Sequence, residues 1–357
     1  MKTIQLQDYN IVFNTNGYLA LNQFVAKSHY SSLFIVVDSH TQEHCLATFL
    51  GFLETTLPIE IIEIPPGETS KTIETCNQVW EALAALNADR KSLIINLGGG
   101  VVTDLGGFIA CTYKRGIDFI NVPTSLLSMV DASVGGKTGV DLGVLKNLIG
   151  VIRNPKLVLI DTGFLASLPR NHMRSGLAEM YKHGLIASSG YWHSLINISS
   201  LDITDLNALI HESVIIKKEI VEEDPTELRL RKVLNFGHTL GHAIESYFLS
   251  SKTKPTLLHG DAIAVGCILE SYLSSKLTGL SQKDLNAITH TLLDMYESVS
   301  FDSEAIADII ELLKYDKKNE SGTVKFIFLE GIGKPVINQE ADNELIKEAF
   351  DYYNNAI

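Results

Sequence analysis

Between residues 33 and 161 the sequence repeats one unit, a short apolar and β-branched run that stops at a turn or a carboxylate. The runs are 33–38, 59–64, 92–97, 117–122 and 157–161, and stretches of helical period separate most of them. Strands that are apolar on both faces must be covered on both faces. The repeat therefore predicts parallel strands buried beneath helices, an α/β fold whose chemistry lies at the carboxyl ends of the strands.

The residues just after each run support that placement. Asp38 closes the first, where a carboxylate can accept hydrogen bonds from ribose hydroxyls or cap the next helix, predicted over 41–54; the local sequence leaves both readings open. The second run leads into Pro65-Pro-Gly-Glu-Thr-Ser-Lys71, which puts Glu68 and Lys71 at a strand end and makes Ser70 the expected cap of a helix over 71–88. The third meets Gly98-Gly-Gly-Val-Val-Thr-Asp-Leu-Gly-Gly107. Consecutive glycines between a strand and a helix let backbone N–H groups approach a pyrophosphate, although a purely structural turn satisfies the same residues. The pattern is not Gly-x-Gly-x-x-Gly, because Thr103 fills the third slot, and Asp38 precedes the glycines. A standard Rossmann strand order is not expected.

Gly136-Lys-Thr138 imitates part of a phosphate loop, but the first glycine of that motif falls on Asp131, which excludes an ordinary ATPase. Lys137, Lys146 with Asn147, and Arg115 read instead as point charges near a bound anion, and solvation at the surface is the alternative for each alone. The segment 164–169 marks the expected hinge, giving domains of 1–170 and 171–357.

The second half has long helical periods and few strands. Glu179 and Lys182 stand three apart on one predicted helix face. A helix over 203–223 carries Lys217, expected to point inward, and ends in the acidic run 222–224, expected to be solvated. Arg231 and Asn235 lead into Asn235-Phe-Gly-His-Thr-Leu-Gly-His-Ala-Ile-Glu245, where His238 and His242 lie one turn apart. That pair can bind a metal, move protons, divide the two tasks, or serve only as structure. Gly237 and Gly241 cost helix stability and call for a close approach of ligand or backbone in return. His259 is a third candidate ligand. Further helices are expected near 260–278, 283–298 and 304–315, then Asp316-Lys-Lys-Asn319, a small strand at 324–329 and a last helix. The site is expected in the cleft between the halves.

Net charge is -13, which argues against nucleic acid or an anionic membrane as partner. Four cysteines, at 45, 76, 111 and 267, contain no Cys-x-x-Cys pair and suit reduced thiols. Neither a signal peptide nor a run of about 18 uncharged apolar residues is seen, so a cytoplasmic protein is expected.

Gly98-Gly-Gly-Val-Val-Thr-Asp104, Val134-Gly-Gly-Lys-Thr-Gly139, Gly176-Leu-Ala-Glu179, 234–245 and Leu258-His-Gly260 together resemble the 3-dehydroquinate synthase family, in order, over about 33–335. The resemblance implies a Rossmann-like NAD-binding α/β domain, a mainly α-helical metal-binding domain and a homodimer. It implies Glu179, His238 and His259 as ligands of a divalent metal, zinc first and cobalt second, with His242 left for acid–base work. It implies an NAD site of Asp38, Glu68, Lys71, Gly99, Gly100, Asp104, Thr124, Ser125, Lys137 and the turn from Phe164 to Ser167, with Lys146 and Asn147 near the nicotinamide. Substrate contacts are implied for Asp131, Lys137, Lys182, Lys217, Arg231, Asn235 and one of Lys317 or Lys318, with Arg115 supplied by a second copy. Three features depart from the family pattern: Ser125 for threonine, Leu145 for a common glycine, and Asn171-His172 for a charged pair.

The implied reaction converts 3-deoxy-D-arabino-heptulosonate 7-phosphate, a phosphorylated sugar acid, into 3-dehydroquinate and phosphate, in the shikimate route to aromatic amino acids. Transient oxidation by NAD acidifies a C–H bond, phosphate leaves, the hydride returns, and ring opening with aldol closure follows. The alternatives are related sugar-phosphate cyclases of the 2-deoxy-scyllo-inosose or valiolone type, a metal-dependent polyol dehydrogenase that releases NADH, and a non-catalytic sensor of NAD or metal.

Overall fold

The computed structural model describes residues 1–143, 145–196, 203–251, 256–315 and 324–357. The chain divides into two compact units, Met1–Met173 and Arg174–Ile357. In the first, β1 (Ile4–Gln5), β2 (Asn10–Phe13) and α1 (Asn14–Lys27) precede β3 (Leu33–Asp38). A short α2 (Ser39–Thr41), a π turn (Gln42–Leu46) and α3 (Ala47–Phe52) lead to β4 (Ile59–Ile64), α4 (Ile73–Ala85), β5 (Leu93–Gly98), α5 (Gly100–Thr112) and β6 (Asp118–Pro123). A ribbon of β7 (Lys137–Leu142) and β8 (Leu145–Ile152) comes before β9 (Leu157–Ile160).

The main sheet runs β1-β2-β9-β6-β5-β3-β4, with β1 and β2 antiparallel and all other neighbours parallel. Numbering β3, β4, β5, β6 and β9 as one to five gives the doubly wound order 2-1-3-4-5, with β2 added beyond the fifth. The order reverses between β3 and β5, where the carboxyl ends of such a sheet open a crevice for ligand. Three of the apolar runs are buried as expected, with Leu33, Ile35, Val36, Leu93, Ile94, Ile95, Val158, Leu159 and Ile160 all fully buried, whereas β4, at the edge of the sheet, buries only Ile62 and Ile64. Each such side chain contributes about 1.5–3 kcal/mol over exposure.

Several expectations change. Ser70 does not cap the following helix; its hydroxyl donates to Gly67 O at 2.6 Å, and Thr72 caps α4 by accepting from Thr75 N at 3.3 Å. The helix expected over 41–54 runs over 39–52, continuous through α2, the π turn and α3. β1, β2 and the β7–β8 ribbon are additions to the expected strands, because two- to four-residue strands and a half-exposed ribbon give little apolar periodicity.

The second unit takes up α6 (Arg170–Ala187), within which the division falls, then α7 (Ser189–Ile196) and α8 (Ile203–Glu223). A 3-10 turn (Leu230–Asn235) leads through Gly237 to α9 (His238–Ser250). α10 (His259–Leu277), α11 (Gln282–Met295), α12 (Ser303–Leu312), the hairpin β10 (Phe326–Gly331) with β11 (Lys334–Gln339), and α13 (Asn343–Ala356) complete it. Asp302 and Asp342 cap α12 and α13, each accepting a backbone N–H at 2.8 Å. The run at 222–224 is not wholly solvated. Asp224 is buried and accepts from the amides of Leu228, Arg229 and Arg231, closing the loop that carries Arg231.

α9 and α10 meet backbone to backbone. A Cβ on Gly266 would lie 2.0 Å from Gly237 O and 2.8 Å from Gly241 N, and one on Gly241 would lie 3.2 Å from Ala262 O. Gly237 also has φ +75°, which lets the chain turn left-handed into α9. The return on these glycines is the close approach of another backbone. Glu270, fully buried on α10, fixes the same junction by accepting from Gly237 N at 2.8 Å and Leu240 N at 3.2 Å.

Candidate functional site

The nucleotide residues expected from sequence collect at one edge of the main sheet. Asp38 ends β3, Glu68 and Lys71 follow β4, Gly99 and Gly100 follow β5, Thr124 and Ser125 follow β6, and Phe164 and Ser167 follow β9. Asp38 is also a cap: Oδ1 accepts from Thr41 N at 2.8 Å and from Thr41 Oγ1 at 3.0 Å. Both readings of this residue are compatible, because Oδ2 takes part in neither bond. Gly99 and Gly100 are half-buried at the start of α5, where amides without helical partners and the helix field suit an anion. Thr124 and Phe164 are buried, Ser125 is half-buried, and Ser167 is exposed with its hydroxyl on Phe164 O at 3.1 Å.

Beside that edge lies a charged network. Lys71 donates to Asp104 Oδ2 at 2.6 Å and to Asn147 Oδ1, and Lys146 pairs with Glu68 and, at 3.2 Å, with Asp141 Oδ2. Burial pulls the Lys71 ammonium down, but Asp104, Glu68 and Asp141 together raise it above its ordinary value. Burial raises Asp104 and Asp141, with the lysines opposing. Lys146 is thus held between carboxylates. Lys137 begins β7 half-buried, Asp131 is half-buried in the π turn Ser128–Ala132, and Arg115 is exposed in a left-handed turn with φ +70°. The glycine-like conformation near Leu145 falls on Asn147, with φ +51°, and Leu145 itself pairs with Leu142 in the ribbon.

In the second unit, α6 presents Glu179, α9 presents His238 and His242, and α10 begins with His259. Lys182, buried one turn from Glu179, takes Oε2 of that carboxylate, and Oε1 is buried without a hydrogen bond. Oε1 lies 3.3 Å from His238 Nε2 and 3.5 Å from His259 Nε2. The opposite ring nitrogens are committed: His238 Nδ1 donates to Phe236 O at 3.0 Å and His259 Nδ1 to Glu245 Oε2 at 3.0 Å. A neutral ring so bonded turns a lone pair, not a proton, toward Oε1. With both rings in that neutral form, three acceptors face one point, and a cation reconciles them.

Burial raises Glu179, but Lys182 and His238 hold it well below the usual carboxylate range; burial and Lys182 lower His238. Burial lowers His259 too, yet Glu245 and Glu179 carry it up to about 10, so the field at its ring favours positive charge. One Glu and two His, with the nitrogens oriented by outer partners, fit a divalent transition metal such as zinc. The ring of His242 stands 5.1 Å from that of His238 and 5.7 Å from that of His259, so it belongs to the same cluster and offers a further nitrogen.

Lys182, Lys217, Arg231 and Asn235 are all buried in this unit. Arg231 Nη1 donates to Pro225 O at 2.7 Å and Asn235 Nδ2 to Glu227 Oε1 at 2.8 Å. Lys317 and Lys318 lie outside the described residues. His172 and Asn171 sit exposed in the first turn of α6. Glu245, Glu270 and Asp141 receive no role from sequence. Glu245 closes the quoted histidine segment and stands seven residues, about two helical turns, from His238, a spacing that puts it on the histidine face; Asp141, an acid inside a strand, breaks β propensity.

The architecture is that of the sugar-phosphate cyclases. A structure of 2-deoxy-scyllo-inosose synthase complexed with carbaglucose-6-phosphate, NAD+ and Co2+ superposes with a TM-score of 0.83 at 26% identity, over 98% of this chain and 99% of that one. One of 2-epi-5-epi-valiolone synthase from Streptomyces hygroscopicus with NAD+ and Zn2+ gives 0.85 at 25% identity, over 100% and 99%. Sequence narrows the class. Residues 61–175 match the pattern described as 3-dehydroquinate synthase N-terminal and 176–319 the one described as 3-dehydroquinate synthase C-terminal. The 3-dehydroquinate synthase of Parabacteroides distasonis is 41% identical over 94% of this chain and 95% of its own length. The chain belongs to the 3-dehydroquinate synthase family.

Proposed function

We propose that the protein converts 3-deoxy-D-arabino-heptulosonate 7-phosphate to 3-dehydroquinate and phosphate, as a cytoplasmic homodimer in the shikimate route. The observation that carries the reading is the convergence of Glu179 Oε1, His238 Nε2 and His259 Nε2 within the matched C-terminal region. Those three atoms hold a divalent ion, zinc before cobalt, which supplies Lewis acidity toward a substrate hydroxyl. NAD, on the carboxyl edge of the sheet, supplies a hydride acceptor that is restored within each turnover.

The chain's own residues do the rest. Lys182 holds Glu179 Oε2 and so leaves Oε1 as the ligating atom. His242, close to both histidine ligands, holds or delivers a proton. Lys182, Lys217, Arg231 and Asn235 receive the substrate's anionic and hydroxyl groups, with Asp131, Lys137, Lys317 or Lys318, and Arg115 of a second copy. Lys146 and Asn147 face the nicotinamide. Relatives at 35–41% identity are named for this reaction, whereas the inosose and valiolone cyclases stand at 25–26%, so the related cyclases come second.

The test is phosphate release from 3-deoxy-D-arabino-heptulosonate 7-phosphate with substoichiometric NAD, before and after chelation. One phosphate per substrate, lost on chelation and restored by zinc without accumulating NADH, is the expected result. No release by protein loaded with both groups refutes the substrate, and stoichiometric NADH from a polyol would make it a dehydrogenase.

A separate expectation concerns Glu245. Glu245→Ala removes the acceptor that orients His259 and should weaken zinc binding by about 10- to 100-fold, with Glu245→Gln, which keeps an acceptor but not the charge, nearer the lower figure. Competition against a chromophoric chelator measures both; parental affinity in the alanine variant refutes the orienting role.

A further inference from the structure

The β7–β8 ribbon is out of register at its turn. Val140 pairs with Ile149, while Leu142 pairs with Leu145, so β8 carries two more residues than β7 over this interval. The three residues 146–148 stand opposite Asp141 alone and bulge from the ribbon, with Asn147 in a left-handed conformation, φ +51°. A bulge re-aims side chains that a regular strand would direct elsewhere, and an isolated one is easily lost unless its unpaired amides find acceptors. Here the Asp141 side chain accepts from one of them, the amide of Asn147.

Asp141 Oδ1 accepts from Asn147 N at 2.7 Å, and Asp141 Oδ2 pairs with Lys146 Nζ at 3.2 Å. Its own amide donates to Lys71 O at 2.9 Å, and the Lys71 ammonium donates to Asn147 Oδ1. Lys146 returns to Glu68, which lies 3.9 Å from Lys71 Nζ. The contacts close a ring through Lys71, Asn147, Asp141, Lys146 and Glu68. Although β8 is mostly half-buried or exposed, the Lys146 side chain is only 6% exposed because it is drawn into this ring.

We propose that Asp141 is a positioning residue, the clip that holds the Lys146–Asn147 bulge in the conformation that meets the cofactor. The inference rests on the proposed cofactor role of Lys146 and Asn147, and it adds the residue through which that role is set. It also separates two functions of charge. Lys71 and Lys146 face Glu68, Asp104 and Asp141, so this edge holds its lysines by carboxylates of its own instead of offering bare cations to an anionic ligand.

The experiment compares Asp141→Asn, Lys146→Ala and the double variant in the full-length protein by NAD titration, kcat and KM for each reactant, and thermal midpoint. Asp141→Asn is expected to weaken NAD binding by about tenfold to hundredfold, the range for losing a hydrogen bond to a charged group, with zinc affinity unchanged. The double variant should be no worse than Lys146→Ala alone, because both changes disable one device. Should the asparagine variant fail to fold, Asp141→Ser, small enough for water to replace the lost oxygens, gives the same comparison. NAD affinity within twofold of the parent in a folded Asp141 variant, or losses that simply add in the double variant, overturns the inference. If Lys146→Ala and Asn147→Ala are harmful while Asp141→Asn is not, the cofactor reading stands and the inference alone falls. If Lys146→Ala and Asn147→Ala are also harmless, both fall.

Discussion

His238→Ala should emerge from purification without bound zinc, and added zinc should not restore phosphate release. The variant removes one of three atoms that converge on a single point. Loss of an outer-shell partner already costs about 10- to 100-fold in metal affinity, and loss of a direct ligand exceeds that. His242→Ala separates the roles within the cluster. It should keep one zinc per chain and lose about 10²- to 10⁴-fold in kcat, the range for a missing acid–base group. Metal content by atomic spectroscopy and initial rates on the same samples decide the matter. Stoichiometric zinc in His238→Ala together with zinc-free His242→Ala would reverse the assignment.

Gly266→Ala is the second change with a large expected effect, and it touches neither ligand nor substrate. Its methyl would lie 2.0 Å from the carbonyl oxygen of Gly237, a backbone atom that cannot rotate away. α9 must retreat from α10, and it carries His238 and His242 while α10 carries His259. Overpacking of this kind costs about 1–3 kcal/mol and more when backbone is the obstacle, so a fall in thermal midpoint on the order of 10 °C is expected for a unit of this size. Zinc affinity should fall with it. Calorimetry resolves the result, and a parental midpoint with parental zinc affinity would show that the two helices are not in close contact.

The contrast between these variants bears on what the sequence could disclose. The inner strands of the parallel sheet were legible because burial on both faces leaves continuous apolar runs, and α8 was read to the residue because twenty-one residues of one period leave little ambiguity. β1, β2 and the ribbon were not, since short or half-exposed strands carry no comparable pattern. Four-residue spacing paired His238 with His242, but neither that spacing nor the position of His259 could tell ligand from base. That depends on where Glu179 Oε1 points, and it is α6 packing, not local sequence, that brings Glu179 to the histidines. Glu245 and Asp141 leave only weak signals, a helical spacing from His238 and an acid inside a strand, because they and Glu270 act on partners distant in the chain or across a bulge. The thiols were legible in kind: all four cysteines are free. Among the described residues no helix is long and apolar enough to cross a membrane.

The parallel sheet gives the first unit two unequal rims. Every expected nucleotide contact from Asp38 to Ser167 that adjoins a main-sheet strand follows a carboxyl end, while the connections at 28–32, 53–58 and 86–92 enter amino ends and carry none of them. Over evolutionary time the two rims answer to different pressures. On one, a single inserted residue would displace an expected cofactor contact; on the other, loops can lengthen, shorten or acquire appendages while the chemistry across the sheet continues undisturbed.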